Sequence, residues 1–105
     1  MKNNLIVSIF CVFLFANGFS QSFKERIDEG IEFHKSRKYA DAIKVYESVL
    51  KEDSKNPEAN YELAITYSAL KEYDRAIKYC DVVIESKSDI SYMAYGVKGA
   101  CEDYM

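Results

Sequence analysis

The chain has 105 residues, of which 49% are apolar and 30% are charged, so it has room for one compact domain and hardly for a second. A single proline and four glycines favour helices over a β-sandwich or a disordered tail. The formal net charge of −3 leaves no excess of basic side chains to hold a phosphate backbone, so we expect no nucleic-acid partner.

The amino-terminal segment 1–20 has the composition of a secretory signal peptide. Lys2 precedes an uncharged apolar run from Leu5 to Ala16, and the small residues Gly18 and Ser20 stand where a signal peptidase requires them. As a helix this run rises only about 18 Å, against a bilayer core of about 30 Å, which disfavours an uncleaved membrane anchor. We therefore predict a signal peptide over 1–20 and an exported, secreted chain in the periplasm or cell envelope.

The predicted cleavage leaves a chain that begins at Gln21. Loss of Lys2 reduces the basic side chains from 14 to 13 against 17 acidic ones, so the formal charge becomes −4. We predict no membrane span in this part of the chain. Two cysteines, Cys80 and Cys101, remain, which is too few for a disulfide-built scaffold.

The rest of the chain is periodic, because the segment 23–56 can be laid over 57–90 without a gap. The pairs also agree chemically where they are not identical, as with the aromatic pair Phe33 and Tyr67. The identical pairs are Ile31 and Ile65, Tyr39 and Tyr73, Ala42 and Ala76, Ile43 and Ile77, Lys44 and Lys78, Val49 and Val83, and Ser54 and Ser88. Such a period indicates a repeat architecture.

Each period contains two helical stretches, because apolar residues recur at steps of three and four. Ser22 with Glu25 resembles a capping box, and Asn56 before Pro57 places a cap residue ahead of a proline at the first helical position. The predicted helices, with ends uncertain by about two to four residues, run from Ser22 to Ser36, Ala40 to Glu52, Pro57 to Leu70, Asp74 to Ser86 and Ile90 to Asp103.

This pattern of small, aromatic and aliphatic positions resembles the tetratricopeptide repeat. The residues that carry the resemblance are Gly30, Phe33, Tyr39, Ala42, Tyr46 and Val49, then Ala64, Tyr67, Tyr73, Ala76 and Val83. Glu29 and Cys80 depart from the family pattern, which usually has leucine and an aromatic there. The resemblance implies an all-α solenoid of helix-turn-helix repeats over 21–105, with repeats at about 23–56 and 57–90 and a partial third at 91–105.

The third repeat begins without finishing. Gly99 lies one place further along than an uninterrupted period would put the equivalent of Ala64, which predicts one inserted loop residue before the first helix of another pair. We predict that its apolar side is covered by a partner that the 105 residues do not contain. The residues on that side are Met93, Tyr95, Val97, Cys101 and Tyr104. Either the sequence is the amino-terminal part of a longer protein, or the fifth helix caps the stack or self-associates through the exposed patch.

The residues that most enzymes and metal sites require are missing. His34 is the only histidine, so a metal site built from a cluster of histidines is excluded, and we expect no Ser-His or Cys-His triad. We therefore predict no enzyme activity, no catalytic residue, no metal and no cofactor. Cys80 and Cys101 lie in consecutive predicted helices, so they are a candidate disulfide if their Cα atoms come within about 7 Å; the alternative is two buried free thiols.

The resemblance implies a concave groove lined by the first helix of each repeat, where a protein or peptide would bind. Members that clamp a carboxyl-terminal peptide use lysine and asparagine there, but Ile27 and Ile31 fill two of those places and Glu62 opposes a third. The groove is therefore expected to hold a peptide or partner helix through apolar contacts. The predicted groove residues are Lys24, Ile27, Ile31, His34, Lys35, Glu58, Tyr61, Ile65, Ser68 and Ala69.

The function predicted from the sequence is that of a protein-interaction scaffold or adaptor. Two other classes remain open. The chain could be the amino-terminal sensory or regulatory module of a longer signalling protein or enzyme, or part of a peptide- or carbohydrate-handling enzyme whose carboxylates come from further repeats.

Overall fold

A computed structural model describes residues 21–105, which form five helices and no strand in that range. The helices are α1 (Phe23–Lys35), α2 (Tyr39–Glu52), α3 (Pro57–Ala69), α4 (Tyr73–Ser86) and α5 (Ser91–Asp103). All five match the predicted helices to within one residue at each end. The predicted signal peptide, 1–20, lies outside the described residues.

The helix ends follow from local capping. The Ser22 Oγ accepts a hydrogen bond from the Glu25 amide at 3.2 Å, and the Asn56 Oδ1 accepts one from the Ala59 amide at 3.0 Å. Pro57 is the first residue of α3, where its missing amide proton is not needed. Both caps that the sequence predicts are therefore confirmed.

The two turns inside the hairpins are built alike. Arg37 (φ 62°) and Lys71 (φ 63°) hold the same place in the two repeats, and both adopt the left-handed conformation. The residue after each of them donates a backbone hydrogen bond to the end of the preceding helix. The Lys38 amide donates to Phe33 O at 2.8 Å, and the Glu72 amide donates to Tyr67 O at 2.9 Å. These short turns make the helices of each hairpin antiparallel neighbours.

Helix contacts define two layers. Each helix packs on the next along the chain, and contacts also join α1 to α3 and α3 to α5. The first helices of the successive pairs, α1, α3 and α5, therefore form one continuous layer, while α2 and α4 cover its other side. Helix α3 is central because all four other described helices contact it.

Close packing inside the first hairpin depends on Gly30. A Cβ at this position would lie only 2.8 Å from the Tyr46 Cζ, and Tyr46 is fully buried. Glycine therefore lets α1 and α2 approach until the tyrosine ring fills the gap between them. The predicted role of this small residue in helix pairing is confirmed.

The prediction of an inserted loop residue before α5 is wrong. Helix α5 starts at Ser91, where an uninterrupted period puts the equivalent of Pro57, and its buried residues Ala94 and Cys101 correspond to the buried Asn60 and Tyr67. A Cβ at Gly99 would meet nothing within 4 Å, so this glycine is not used as Gly30 is. The spacing of the small residues misled the prediction because no helix packs on Gly99 among the described residues.

Candidate functional site

The layer formed by the first helices carries a cavity of about 480 Å³ between α1 and α3. The α1 side chains follow helical spacing along one face, and two α3 side chains, Glu58 and Glu62, stand one turn apart on the other wall. Asn56, the cap of α3, closes one end. The lining residues are Phe23, Lys24, Ile27, Asp28, Ile31, Asn56, Glu58 and Glu62.

The α1 wall is mainly apolar. Ile27 is 7% exposed and belongs to the hydrophobic core, while Phe23 and Ile31 are half-buried and pack against that core. The Arg26 guanidinium lies 5.2 Å from the centre of the Phe23 ring, and it also forms an ion pair with Glu52 of α2 at 2.7 Å. The Arg26 side chain thus connects the Phe23 ring of the cavity wall to α2.

The α3 wall is acidic. The only lysine of the lining, Lys24, lies on the opposite α1 wall, 3.1 Å from Asp28 of the same helix. Both side chains are more than half exposed, so this ion pair contributes little to stability. Neither Glu58 nor Glu62 has a cation within 4.0 Å among residues 21–105. Burial raises the pKa of the Glu62 carboxyl above its ordinary value. Within the described part of the chain, Glu62 is thus a partly desolvated carboxylate with no cation within 4.0 Å.

Four of the ten predicted groove residues, Lys24, Ile27, Ile31 and Glu58, line this cavity. His34 lies between helices instead: its Nδ1 is 2.9 Å from the Thr66 Oγ1, and its ring stands edge-on to Tyr39 at 5.0 Å. Burial lowers the pKa of this imidazole. His34 therefore joins α1 to α3 beyond the cavity.

The other five predicted residues also lie outside the cavity. Tyr61 is half-buried against the core between α3, α4 and α5, and burial raises its pKa, with Glu62, Cys80 and Tyr92 as further causes. Lys35 pairs with Glu32 at 3.4 Å on the surface. A role for these residues in binding stays a prediction. The remaining three are Ile65, Ser68 and Ala69.

Sequence reasoning missed Phe23, Asp28, Asn56 and Glu62 as lining residues, although Glu62 was recognised as opposing a family lysine. Each of the four lies one or two positions along the chain from a residue that was predicted, but proximity in sequence does not show which neighbours line the cavity.

Two tyrosines of α5 were not predicted as groove residues, although Tyr95 was predicted to lie on the apolar side of this helix. Tyr92 and Tyr95, which correspond to Glu58 and Tyr61 one repeat earlier, are 73% and 61% exposed. They place exposed aromatic rings on α5, the next helix of the same layer. The groove prediction covered only the first helices of the two full repeats, so it included neither residue.

The two cysteines lie in the core between α4 and α5, so the prediction that Cys101 belongs to the uncovered apolar side of α5 is wrong. Both are fully buried free thiols, and burial together with the nearby Cys101 raises the pKa of Cys80 to about 11. A thiol with such a pKa is a poor nucleophile at neutral pH. Their role here is packing, and a disulfide between them stays a prediction.

Other kinds of site find no support in the part of the chain that the structure describes. No three His, Cys, Asp or Glu side chains between 21 and 105 are grouped to hold a metal ion. In the same range, none of the helices has the length and apolar character needed to cross a bilayer.

Comparison with known proteins identifies the repeat. No curated protein matches the chain. A family model described as tetratricopeptide repeat matches residues 33–95, which is more than half of the chain and includes both described turns with φ above zero inside the hairpins. Repeats of this family generally mediate protein–protein interaction and are typically not catalytic. The chain belongs to the tetratricopeptide repeat family.

Proposed function

We propose that this chain is a non-catalytic scaffold or adaptor that holds a peptide or a partner helix in the groove between α1 and α3. The observation that carries the proposal is the cavity of about 480 Å³ on the layer of first helices, with Ile27 and Ile31 on one wall and carboxylates on the other. Concave sites with an apolar surface and a few polar groups are where ligands bind most often.

The shape of the groove suits a chain segment more than a small metabolite. Ile27 and Ile31 are one helical turn apart on α1, and Tyr92 and Tyr95 extend the same face beyond α3. A ligand that follows this face crosses three helices, and exposed tyrosines supply contact area at low entropic cost. An extended peptide or an amphipathic helix has the length to do so.

Export is part of the proposal. The composition of residues 1–20 supports a signal peptide, which would place the scaffold in the periplasm or cell envelope as an adaptor or assembly factor. Fractionation of cells that express the tagged chain, followed by mass determination of the amino terminus, tests this point. A cytoplasmic chain that retains Met1 or Lys2 would contradict export but leave the groove proposal intact.

The groove is tested by peptide display against the purified chain, followed by affinity measurements on the peptides that are retained. Ile31→Asp should lower the affinity by about tenfold or more, because it places a charge on the apolar wall. Tyr61→Ala tests the prediction that binding extends along α3. Ile43→Asp on α2 is the matched control, since Ile43 is also half-buried against the same core cluster but lies on the opposite layer.

Circular dichroism of each variant separates loss of binding from loss of fold. If Ile31→Asp unfolds, the milder Ile31→Ala takes its place, with Ile43→Ala as control. Equal affinity for the native chain, the Ile31 variant and Tyr61→Ala would show that the ligand binds elsewhere.

A further inference from the structure

We infer that the groove selects a segment that carries a lysine or arginine next to an aliphatic side chain, with the cation on Glu62 and the aliphatic group against Ile27 and Ile31. This inference rests on the proposed function, since it names the chemistry of the ligand for the same groove. It also runs opposite to the lysine- and asparagine-based clamp that binds a terminal carboxylate.

The charges that line the cavity do not balance. Lys24 is the only lining cation, and it pairs with Asp28 at 3.1 Å. Glu58 and Glu62 then remain as two negative charges on one wall. They stand one turn apart on the same helix, where like charges repel each other. A ligand cation between them would relieve that repulsion as well as neutralise the wall.

Glu62 is the stronger of the two anchors because it is partly desolvated. Burial raises the pKa of its carboxyl, and no described cation lies within 4.0 Å to compensate for the lost hydration. Its carboxylate therefore destabilises the free protein. A charge in a region of low dielectric gains more from an incoming opposite charge than a fully hydrated one does.

The two walls place both requirements within one cavity. Ile27 and Ile31 face the cavity from α1, and Glu58 and Glu62 face it from α3. A segment that lies between the helices thus meets apolar surface on one side and negative charge on the other. The formal net charge of −3 for the whole chain adds a long-range attraction for a basic partner. An acidic segment or a carboxyl terminus would be repelled at the same place.

The test uses a random peptide library displayed against the purified chain, scored for lysine and arginine next to Leu, Ile or Val. We expect basic residues to be enriched and aspartate and glutamate to be depleted. A synthetic copy of the most enriched peptide is then titrated against the native chain, Glu62→Gln and Glu58→Gln. Glu47→Gln is the matched control, because it changes the net charge equally at an exposed α2 position outside the cavity.

The expected results are a loss of affinity of about tenfold for Glu62→Gln, a smaller loss for Glu58→Gln and none for Glu47→Gln. Binding should also weaken as salt is raised. Retained peptides without a basic preference, or equal affinity for Glu62→Gln and the native chain, would overturn the inference while the groove itself could still bind. If no peptide is retained, or if Ile31→Ala, which removes apolar surface without adding a charge, leaves retention unchanged, the proposed function falls as well.

Discussion

Helices α3 and α5 occupy equivalent places in the repeat, and both have 13 residues, yet they are buried very differently. Six residues of α3 are buried, including Leu63 and Tyr67, whereas only Ala94 and Cys101 are buried in α5. Helix α3 contacts all four other described helices, and α5 contacts only α3 and α4. The difference teaches that neighbours decide what a repeat position buries as much as its own residues do.

The largest expected contrast is between core positions of the two helices. Leu63→Ala should destabilise the fold by about 2–5 kcal/mol, because Leu63 is fully buried and its removal leaves a cavity. Val97→Ala, at the equivalent place in α5, should cost about 1 kcal/mol or less, since Val97 is only partly buried. Urea unfolding followed by circular dichroism measures both. Equal losses of stability in the two variants would contradict the conclusion that α5 is less buried than α3.

Gly30 in α1 and Gly99 in α5 are expected to respond in opposite ways to substitution by alanine, because only Gly30 is packed against another helix. Gly30→Ala should destabilise by about 1–3 kcal/mol, because its Cβ would press on the Tyr46 ring. Gly99→Ala, where a Cβ meets nothing within 4 Å, should stabilise by about 0.5–1 kcal/mol through better helix propensity. Thermal melts of the two variants provide the check. A destabilised Gly99→Ala would mean that another surface packs closely on α5.

The caps of α3 and α5 differ as well. Asn56→Ala should cost about 1 kcal/mol, because it removes the side-chain acceptor for the Ala59 amide. The corresponding residue of α5, Ile90, makes no side-chain cap bond. Hydrogen exchange at the Ala59 amide should accelerate in the variant and stay unchanged in the control Ser54→Ala, whose exposed side chain is outside the helix. Unchanged protection of the Ala59 amide in Asn56→Ala would show that the Asn56 side chain does not stabilise the amino-terminal end of α3.

The smallest expected effect concerns Glu62, whose equivalent in α5 is Gly96. Burial raises the folded-state pKa of Glu62 above its ordinary value of 4.5, so the stability present at low pH is lost as the pH rises through the folded-state pKa. Glu62→Gln should therefore be more stable than the native chain at neutral pH, with the difference shrinking below pH 4.5. Urea unfolding at both pH values measures this.

The nearby titrating groups do not obscure that comparison. Lys24 and Asp28 on α1, Tyr46 on α2, and Glu58 and Tyr61 on α3 are common to both proteins. Burial and Glu62 both raise the pKa of Tyr46 and Tyr61 above the ordinary value of 10.0, which lies outside the pH range of this comparison. Glu47→Gln provides the exposed control, for which no such pH-dependent gain is expected. A Glu62→Gln variant that is less stable at neutral pH would indicate a favourable contact for the carboxylate within the fold.

Much of the fold could be predicted from the sequence, because the residues that recur with the period are the ones that pack on each other. Gly30 with Tyr46 and the caps Ser22 and Asn56 are local features, so they fix the helices and their pairing. The start of α5 was predicted to within one residue, but its register in the repeat was one residue out, because the small residue Gly99 used to set that register has no packing partner among the described residues.

The site was predicted less completely than the fold. The family resemblance identified the α1 wall through Lys24, Ile27 and Ile31, but of the two lining residues of α3 it supplied only Glu58. His34 has the same helical spacing, yet its contact with Thr66 holds it between the helices. The desolvation of Glu62 depends on how closely the two helices approach, which no pattern of residue types along one chain reveals.

Nuclear magnetic resonance gives the most direct test of groove binding. Amide shifts of the isotope-labelled chain are followed while the most enriched displayed peptide is added. We predict that the changes concentrate on α1 between Lys24 and Ile31 and on α3 between Glu58 and Glu62. Changes confined to α2 and α4, with the two groove segments unaffected, would contradict the account.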